Sequence, residues 1–249
     1  MKNPITLVKD EIKDTAVLMR NVPSGVMVFF VISVVLMNLL ANKEIATGVD
    51  WLALDCGFTL SWMSFLCMDI LTRRFGPKAS IKLSLFALVV NLLASIILKA
   101  VSLIPGNWAE FYSFENDIIN QALNNTIGGT WYVLFGSAVA FVVSAIVNAV
   151  LNHLIGKMCK KKSFIEYALR SYISTLLAQF IDNLIFALIV SYNFFGWTML
   201  QCITCSITGC VAELLCEVIF SPIGYKVSQK WENDGVGSEY FDSREKVRK

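Results

Sequence analysis

Apolar residues run in six long stretches, at about residues 22–41, 51–71, 81–104, 131–155, 169–192 and 197–225, parted by polar segments. A bilayer core of about 30 Å takes roughly 20 apolar residues in a helix, so each stretch predicts a membrane-spanning helix. The second is the weakest, because Asp55 and Asp69 sit inside it, and a partly re-entrant path is open for it. Polar residues recur within the stretches at helical spacing. The fifth carries Gln179, Asp182, Asn183 and Phe186; the sixth carries Cys202, Ser206, Gly209, Glu213 and Glu217. Ser84, Asn91, Ser95 and Lys99 follow one face of the third, and Gly136, Ser144, Asn148 and Asn152 one face of the fourth. Asp55, Trp62 and Asp69 lie seven apart in the second, and Ser33, Asn38 and Asn42 mark the first. Lipid cannot satisfy such groups, so these stripes are expected to face protein or a wet cavity.

Charge sets the orientation. Seventeen of the 21 basic residues fall in the N-terminal arm, the second and fourth connections and the C-terminal tail. The first connection has only Lys43, and the third and fifth have none. Basic residues concentrate on the cytoplasmic side. The expected fold class is therefore an all-α integral membrane protein with six transmembrane helices and both termini cytoplasmic. Its parts are a cytoplasmic arm at 1–21, a six-span domain at 22–228 and a tail at 229–249, polar and expected to be disordered. The third connection, about 105–130, is long and external. Trp108, Phe111, Tyr112 and Phe114 suit it to the membrane interface, with a lid over a site as the alternative.

Composition agrees: 56% of the 249 residues are hydrophobic and 16% charged, against about 25% charged in soluble domains. Mean hydropathy is +0.62. A net charge of +2 gives no field for nucleic acid. The first apolar stretch is too long for a signal peptide and lacks a small-x-small cleavage pattern, so it is read as a span. Seven cysteines, mostly in apolar runs, read as free buried thiols. Cys202-x-x-Cys205 has no second pair or nearby His to make a metal site, and the one histidine, His153, reads as interfacial at the end of the fourth span. No Gly-rich phosphate loop or enzyme motif shows, so neither a cofactor nor catalysis is expected.

Packing explains part of the polar pattern: Gly136, Ala140 and Ser144 form a small-xxx-small face. Asp69 has Arg73 or Arg74 as an expected partner, and Asp182, Glu213 and Glu217 have Lys99. Yet a carboxylate at the bilayer centre costs roughly 2.5–3.5 kcal/mol on insertion scales. Three in two spans are better explained by a central polar cavity that binds a solute.

The chain also resembles the queuosine-precursor transporters, the VUT or vitamin-uptake family, over about residues 34–228. Four stretches carry the likeness: Asn38-Leu39-Leu40-Ala41-Asn42-Lys43; Asp69-Ile70-Leu71 with Phe75-Gly76; Ser174-Thr175-Leu176 with Gln179, Asp182 and Leu184-Ile185-Phe186; and Glu217-Val218 with Pro222 and Tyr225. The resemblance implies a six-span importer of 7-deazaguanine bases in the plasma membrane, with Asn38, Asp69, Gln179, Asp182 and Glu217 at or near the site. Many members carry Lys one turn before the Glu-Val pair, where this chain has Glu213.

The stripes add Trp62, Asn91, Asn183, Phe186 and Glu213 as candidate solute contacts. A deazaguanine presents a ring N–H beside an exocyclic amine, and one carboxylate accepts both. Asn or Gln amides suit its carbonyl, and Phe180, Phe186 or Trp62 could stack on the base. The expected function is secondary import of a queuosine precursor, such as the cyano or aminomethyl base or queuine, for tRNA queuosine salvage. Two alternatives stand beside it. One is the substrate-binding membrane subunit of an ATP-driven vitamin uptake complex, which should show small residues spaced by four on its first span; residues 26–41 lack an Ala-xxx-Ala there. The other is a non-transporting scaffold. Oligomeric state and coupling ion are not legible.

The charge asymmetry yields a test of topology. Reporter fusions after Lys78, Lys162 and Lys249 are expected to read cytoplasmic, and fusions near Gly48 and Glu115 external. A cytoplasmic reading at Glu115 overturns the six-span arrangement.

Overall fold

The computed structural model describes residues 4–108, 117–128, 131–158 and 163–248, and among them all regular structure is helical. The helices are α1 (Pro4–Asn21), α2 (Ser24–Leu40), α3 (Phe58–Phe75), α4 (Pro77–Ser102), α5 (Asp117–Gly128), α6 (Trp131–Met158), α7 (Phe164–Phe186), α8 (Tyr192–Phe194), α9 (Met199–Asn233) and α10 (Ser238–Arg248). A π-helical turn, Ala187–Ser191, joins α7 to α8.

Local chemistry sets the breaks. Pro23 lacks an N–H and disfavours a helical residue before it, and the chain bends by 110° between α1 and α2. Gly76 takes φ 87° between α3 and α4, and Pro77 opens α4, where its missing donor costs nothing. Ser163 caps α7 by accepting from the Glu166 N–H at 3.3 Å. Thr198 and Gln201 form a reciprocal capping box at the start of α9.

The bundle is turned inside out relative to a soluble protein. Leu85, Val89, Leu93, Ile96 and Ile97 of α4 face outward, as do Ile203, Ile207, Val211, Leu215 and Ile219 of α9. Ser64, Asp69, Ser144, Asn148, Asn152, Ser171, Gln179, Ser206 and Glu217 are buried. A polar interior within an apolar exterior suits hydrocarbon as the surrounding solvent. Helix α7 packs between α6 and α9; α9 also packs on α3, and α3 on α2. Among the described residues, four stretches are long and apolar enough to cross a membrane, and a fifth counts if α1 and α2 form one broken span. Helix α2 has 17 residues, and α3 carries Asp69, Arg73 and Arg74 within its 18.

Two expectations are corrected. The second stretch does not start as a helix at Trp51: residues 42–57 fold back on themselves, with an isolated antiparallel bridge between Glu44 and Asp55. Asp55 causes this by accepting from the Gly57 N–H at 2.7 Å, which closes a turn just before α3. The loop is tied to α9, where Gln201 Nε2 donates to the Asp50 carbonyl at 2.9 Å and Thr204 Oγ1 to that of Trp51 at 2.8 Å. The tail, expected to be disordered, is helical and packed. Phe75 lies against Trp231, Tyr240 and Phe241 at 6.0–6.1 Å, and Tyr240 is fully buried. In the third connection, Phe111, Tyr112 and Phe114 lie outside the described residues, as do Lys160, Lys161 and Lys162 of the fourth. Trp108 donates to Asn120 and Asn124, and α5 packs on α4.

The small-residue face of α6 lets a neighbouring segment approach closely. A Cβ on Gly136 would stand 2.2 Å from Val190 Cγ2 and 3.1 Å from Ile189 Cγ2, so glycine lets α6 touch the π turn. Gly136→Ala is expected to destabilise the protein by about 1–3 kcal/mol, as overpacking does. Thermal unfolding of the purified variant in detergent checks this; an unchanged midpoint would mean that the contact repacks freely.

Candidate functional site

Helices α2 and α7 end, and α3 and α9 begin, at one end of the bundle, and an open cleft lies among them. The polar wall is Asn38, Asp55, Ser61, Ser137, Asp182, Asn183 and Glu213; Phe58 and Phe186 add rings. Three carboxylates and no basic side chain line it.

Each carboxylate is held differently. Asp182 Oδ1 accepts from Ser144 Oγ at 2.6 Å. Its other oxygen has no hydrogen-bond partner among the described residues, and the side chain is only partly buried. Glu213 is buried and occupied on both oxygens, by the Ser61 hydroxyl and by Asn183 Nδ2 at 3.1 Å. Gly209, one turn before Glu213, gives Asn183 its room: a Cβ there would stand 2.8 Å from Nδ2. Asp55 stands in the loop before α3, outside the spanning helix. Burial pushes its carboxyl up to about 6, against the bond from Gly57, which lowers it. Asn38 Nδ2 donates to the Val34 carbonyl at 2.8 Å.

A second polar cluster lies deeper. Asp69 of α3 accepts from Asn148 at 2.9 Å, Asn152 at 2.8 Å, Thr175 at 3.2 Å and Ser171. The Ser171 hydroxyl also contacts Glu217. Gln179 is fully buried one turn from Thr175 and one turn from Asp182 and Asn183, so it stands between cluster and cleft. Among the described residues neither of its amide atoms has a hydrogen-bond partner.

The ten sequence-derived candidates therefore divide. Asn38, Asp182, Asn183, Phe186 and Glu213 meet at the cleft; Asp69 and Glu217 meet in the inner cluster, with Gln179 between. Trp62 is not in the cleft wall: it stacks on Phe220 at 4.4 Å, and its indole N–H donates to the Thr59 carbonyl. Asn91 is buried on α4, also away from the cleft wall. The expected charge partners differ as well. Asp69 takes its hydrogen bonds from amides and hydroxyls rather than from Arg73 or Arg74, and Asp182, Glu213 and Glu217 take theirs from Ser144, Ser61, Asn183 and Ser171 rather than from Lys99. Ser61, Ser137 and Phe58 were not singled out. A lone Ser in an apolar run carries no signal, since it packs helices as readily as it lines a site. Cys202 donates to the Ala187 carbonyl at 3.5 Å and so joins α9 to the π turn. Among the described residues no His, Cys, Asp and Glu group could hold a metal ion.

A family described as "Putative vitamin uptake transporter" matches residues 55–227, well over half of the chain. The chain belongs to this family. No curated protein and no solved structure matches it. The family match covers α3 to most of α9 and contains every cleft residue named above except Asn38. With its apolar exterior, the chain is a multi-pass membrane protein of a transporter family.

The inner cluster yields a stability test. Asp69→Ala would take an acceptor from four donors of α6 and α7, of which Ser171 keeps Glu217 and Asn152 keeps Ser174 Oγ; a donor left buried without an acceptor costs about 1–3 kcal/mol. The expected outcome is loss of at least about 3 kcal/mol, read as a collapse in the yield of monodisperse protein; Asp69→Asn is expected to be milder, since it keeps an acceptor oxygen. Wild-type yield and thermal midpoint for Asp69→Ala would show that the cluster does not hold the bundle together.

Proposed function

We propose that this chain is a six-span secondary importer of a queuosine precursor, a 7-deazaguanine base, with both termini cytoplasmic and its binding site in the α2–α3–α7–α9 cleft. The observation that carries the reading is the acidic cleft with one half-satisfied carboxylate. Asp182 has an oxygen to offer where Glu213 has none, and it is the group that would take the paired ring N–H and exocyclic amine donors of the base. Phe186 and Phe58 offer rings for its flat faces, and Asn38 and Asn183 offer amides for its carbonyl. In this reading Glu213 is a positioning residue that holds Asn183 through its hydrogen bond.

The excess of negative charge favours a solute with a cationic arm. Asp55, Asp182 and Glu213 face one cleft without a basic counterpart, so an aminomethyl-bearing base fits better than the neutral cyano form. The vitamin of the family's description would be this class of micronutrient. With the orientation read from basic residues, the cleft opens to the outside, where an importer first meets its solute. An ATP-driven partner remains the rival reading, and transport by the purified chain alone distinguishes the two.

Asp182→Asn is nearly isosteric and keeps an acceptor for Ser144. It is expected to weaken binding by about 1.5–3 kcal/mol, the worth of a hydrogen bond to a charged group. Binding of a deazaguanine panel to purified wild type and variant, followed by uptake into liposomes, checks this. Wild-type affinity for a well-folded Asp182→Asn would make the residue structural. No binding of any deazaguanine to wild type would overturn the substrate assignment.

A further inference from the structure

At the opposite end of the bundle, a second cavity of about 370 Å³ opens where α3 and α6 end and α7 begins. Its charge is the reverse of the cleft's. Among the described residues Arg73, Arg74, Lys157 and Arg170 line it, and no carboxylate does. Cations gathered around one space hold a positive potential there that attracts an anion.

The cations are also positioned in advance. The Arg73 guanidinium lies over the rings of Tyr167 and Tyr225, 5.1 and 4.7 Å from their centroids. Arg74 lies 4.9 Å from the centroid of Phe241, and its Nε donates to the Val236 carbonyl at 2.8 Å. Arg170 crosses α6 at Gly156, where a Cβ would come within 2.8 Å of its Nη1. Stacked, planar guanidinium groups of this kind suit bidentate recognition of oxyanions.

Hydrogen-bonding capacity is left over in the same wall. Among the described residues, Arg73 Nη1 and Thr72 Oγ1 are buried donors with no partner, and Thr72 is only 4% exposed. Asn152 spends its Nδ2 on Asp69, while its buried Oδ1 accepts nothing. Native interiors rarely leave such groups unpaired. Two spare donors and a ring of cations ask for an oxyanion; the spare acceptor asks for a hydroxyl on the same ligand.

We propose that this cavity is a binding site for a phosphate-type anion, carried either by the headgroup of an anionic phospholipid or by a free phosphate. Basic pockets between helices at a membrane face are the known chemistry of the first source. Hydrogen phosphate, with its own hydroxyl, satisfies the same groups for the second.

The test uses the full chain in nanodiscs of phosphatidylcholine. One arm adds phosphatidylglycerol to the bilayer; the other adds inorganic phosphate. Native mass spectrometry reads retained lipid, and thermal unfolding reads both ligands. Wild type is compared with Arg73→Gln and with Lys157→Gln; Lys157 is exposed, so that substitution spares the fold. Lys43→Gln, outside the cavity, is the control. Phosphatidylglycerol or phosphate is expected to bind wild type and Lys43→Gln alike, and each cavity variant about tenfold more weakly. Retention of phosphatidylglycerol that phosphate does not displace assigns the lipid source, and saturable stabilisation by phosphate assigns the free anion. If neither ligand stabilises wild type beyond phosphatidylcholine, or if Lys157→Gln binds as wild type does, the proposal fails.

Discussion

Asp69 shows what membrane depth demands. It is fully buried on α3 and accepts from two side chains of α6 and two of α7. In water each donor would have solvent as an alternative; in hydrocarbon each has only the protein. The carboxylate thus sets the register of three helices at once, because sliding any one of them would strand several polar groups. Hydrophobic burial cannot do this work between spans, since lipid tails are as apolar as leucine. The apolar side chains of α4 and α9 accordingly face outward and leave the interior to hydroxyls, amides, carboxylates and small residues.

From that centre, polar groups extend in both directions. Asn152 belongs both to the Asp69 cluster and to the wall of the basic cavity. Gln179 lies on α7 between the cluster and the acidic cleft. The two open spaces therefore flank a buried, hydrogen-bonded segment and carry opposite charge. A transport cycle in such a bundle would have to part the Asp69 cluster, and the π turn after Phe186 is a place where α7 has a second way of arranging its carbonyls. Its Ala187 carbonyl already accepts from Cys202 of α9, so movement there couples two of the helices that line the cleft.

The spans were legible because a membrane makes periodicity and polarity unusually informative: an Asp or Gln amid apolar residues is an anomaly in any window. Residues 77–102, 131–158 and 199–233 follow their apolar stretches to within a turn or two at most ends. Convergence was less legible. Gln179, Asp182 and Asn183 share one helical face by spacing alone, but nothing in the spacing says that Ser61 and Ser137 would meet them. Trp62 was misplaced because its stacking partner, Phe220, lies on another helix far along the chain. The start of α3 was hidden because Trp51, Leu52 and Ala53 are apolar enough to join a span, whereas the Asp55–Gly57 turn and the ties to α9 hold them in a loop. The tail was misread on composition. Its few rings, Trp231, Tyr240 and Phe241, converge on Phe75, and that contact depends on tertiary structure rather than on local polarity.

Glu213 joins the geometry to the question of solute. In the transporters this chain resembles, the position often holds Lys. A lysine there would carry a positive charge into a cleft that holds Asp182 and Asp55, and would neutralise one of them. Here the acid instead draws Ser61 and Asn183 to itself and leaves the other two carboxylates unopposed. Burying three acidic groups around one space is unfavourable unless protons or a cation share it. Under the proposed function, a solute that brings its own positive charge would supply the missing partner on arrival and remove it on release. The cleft's electrostatic cost in the empty state would then act as a source of selectivity: a neutral base of the same shape would fill the space and leave protons alone to relieve the repulsion.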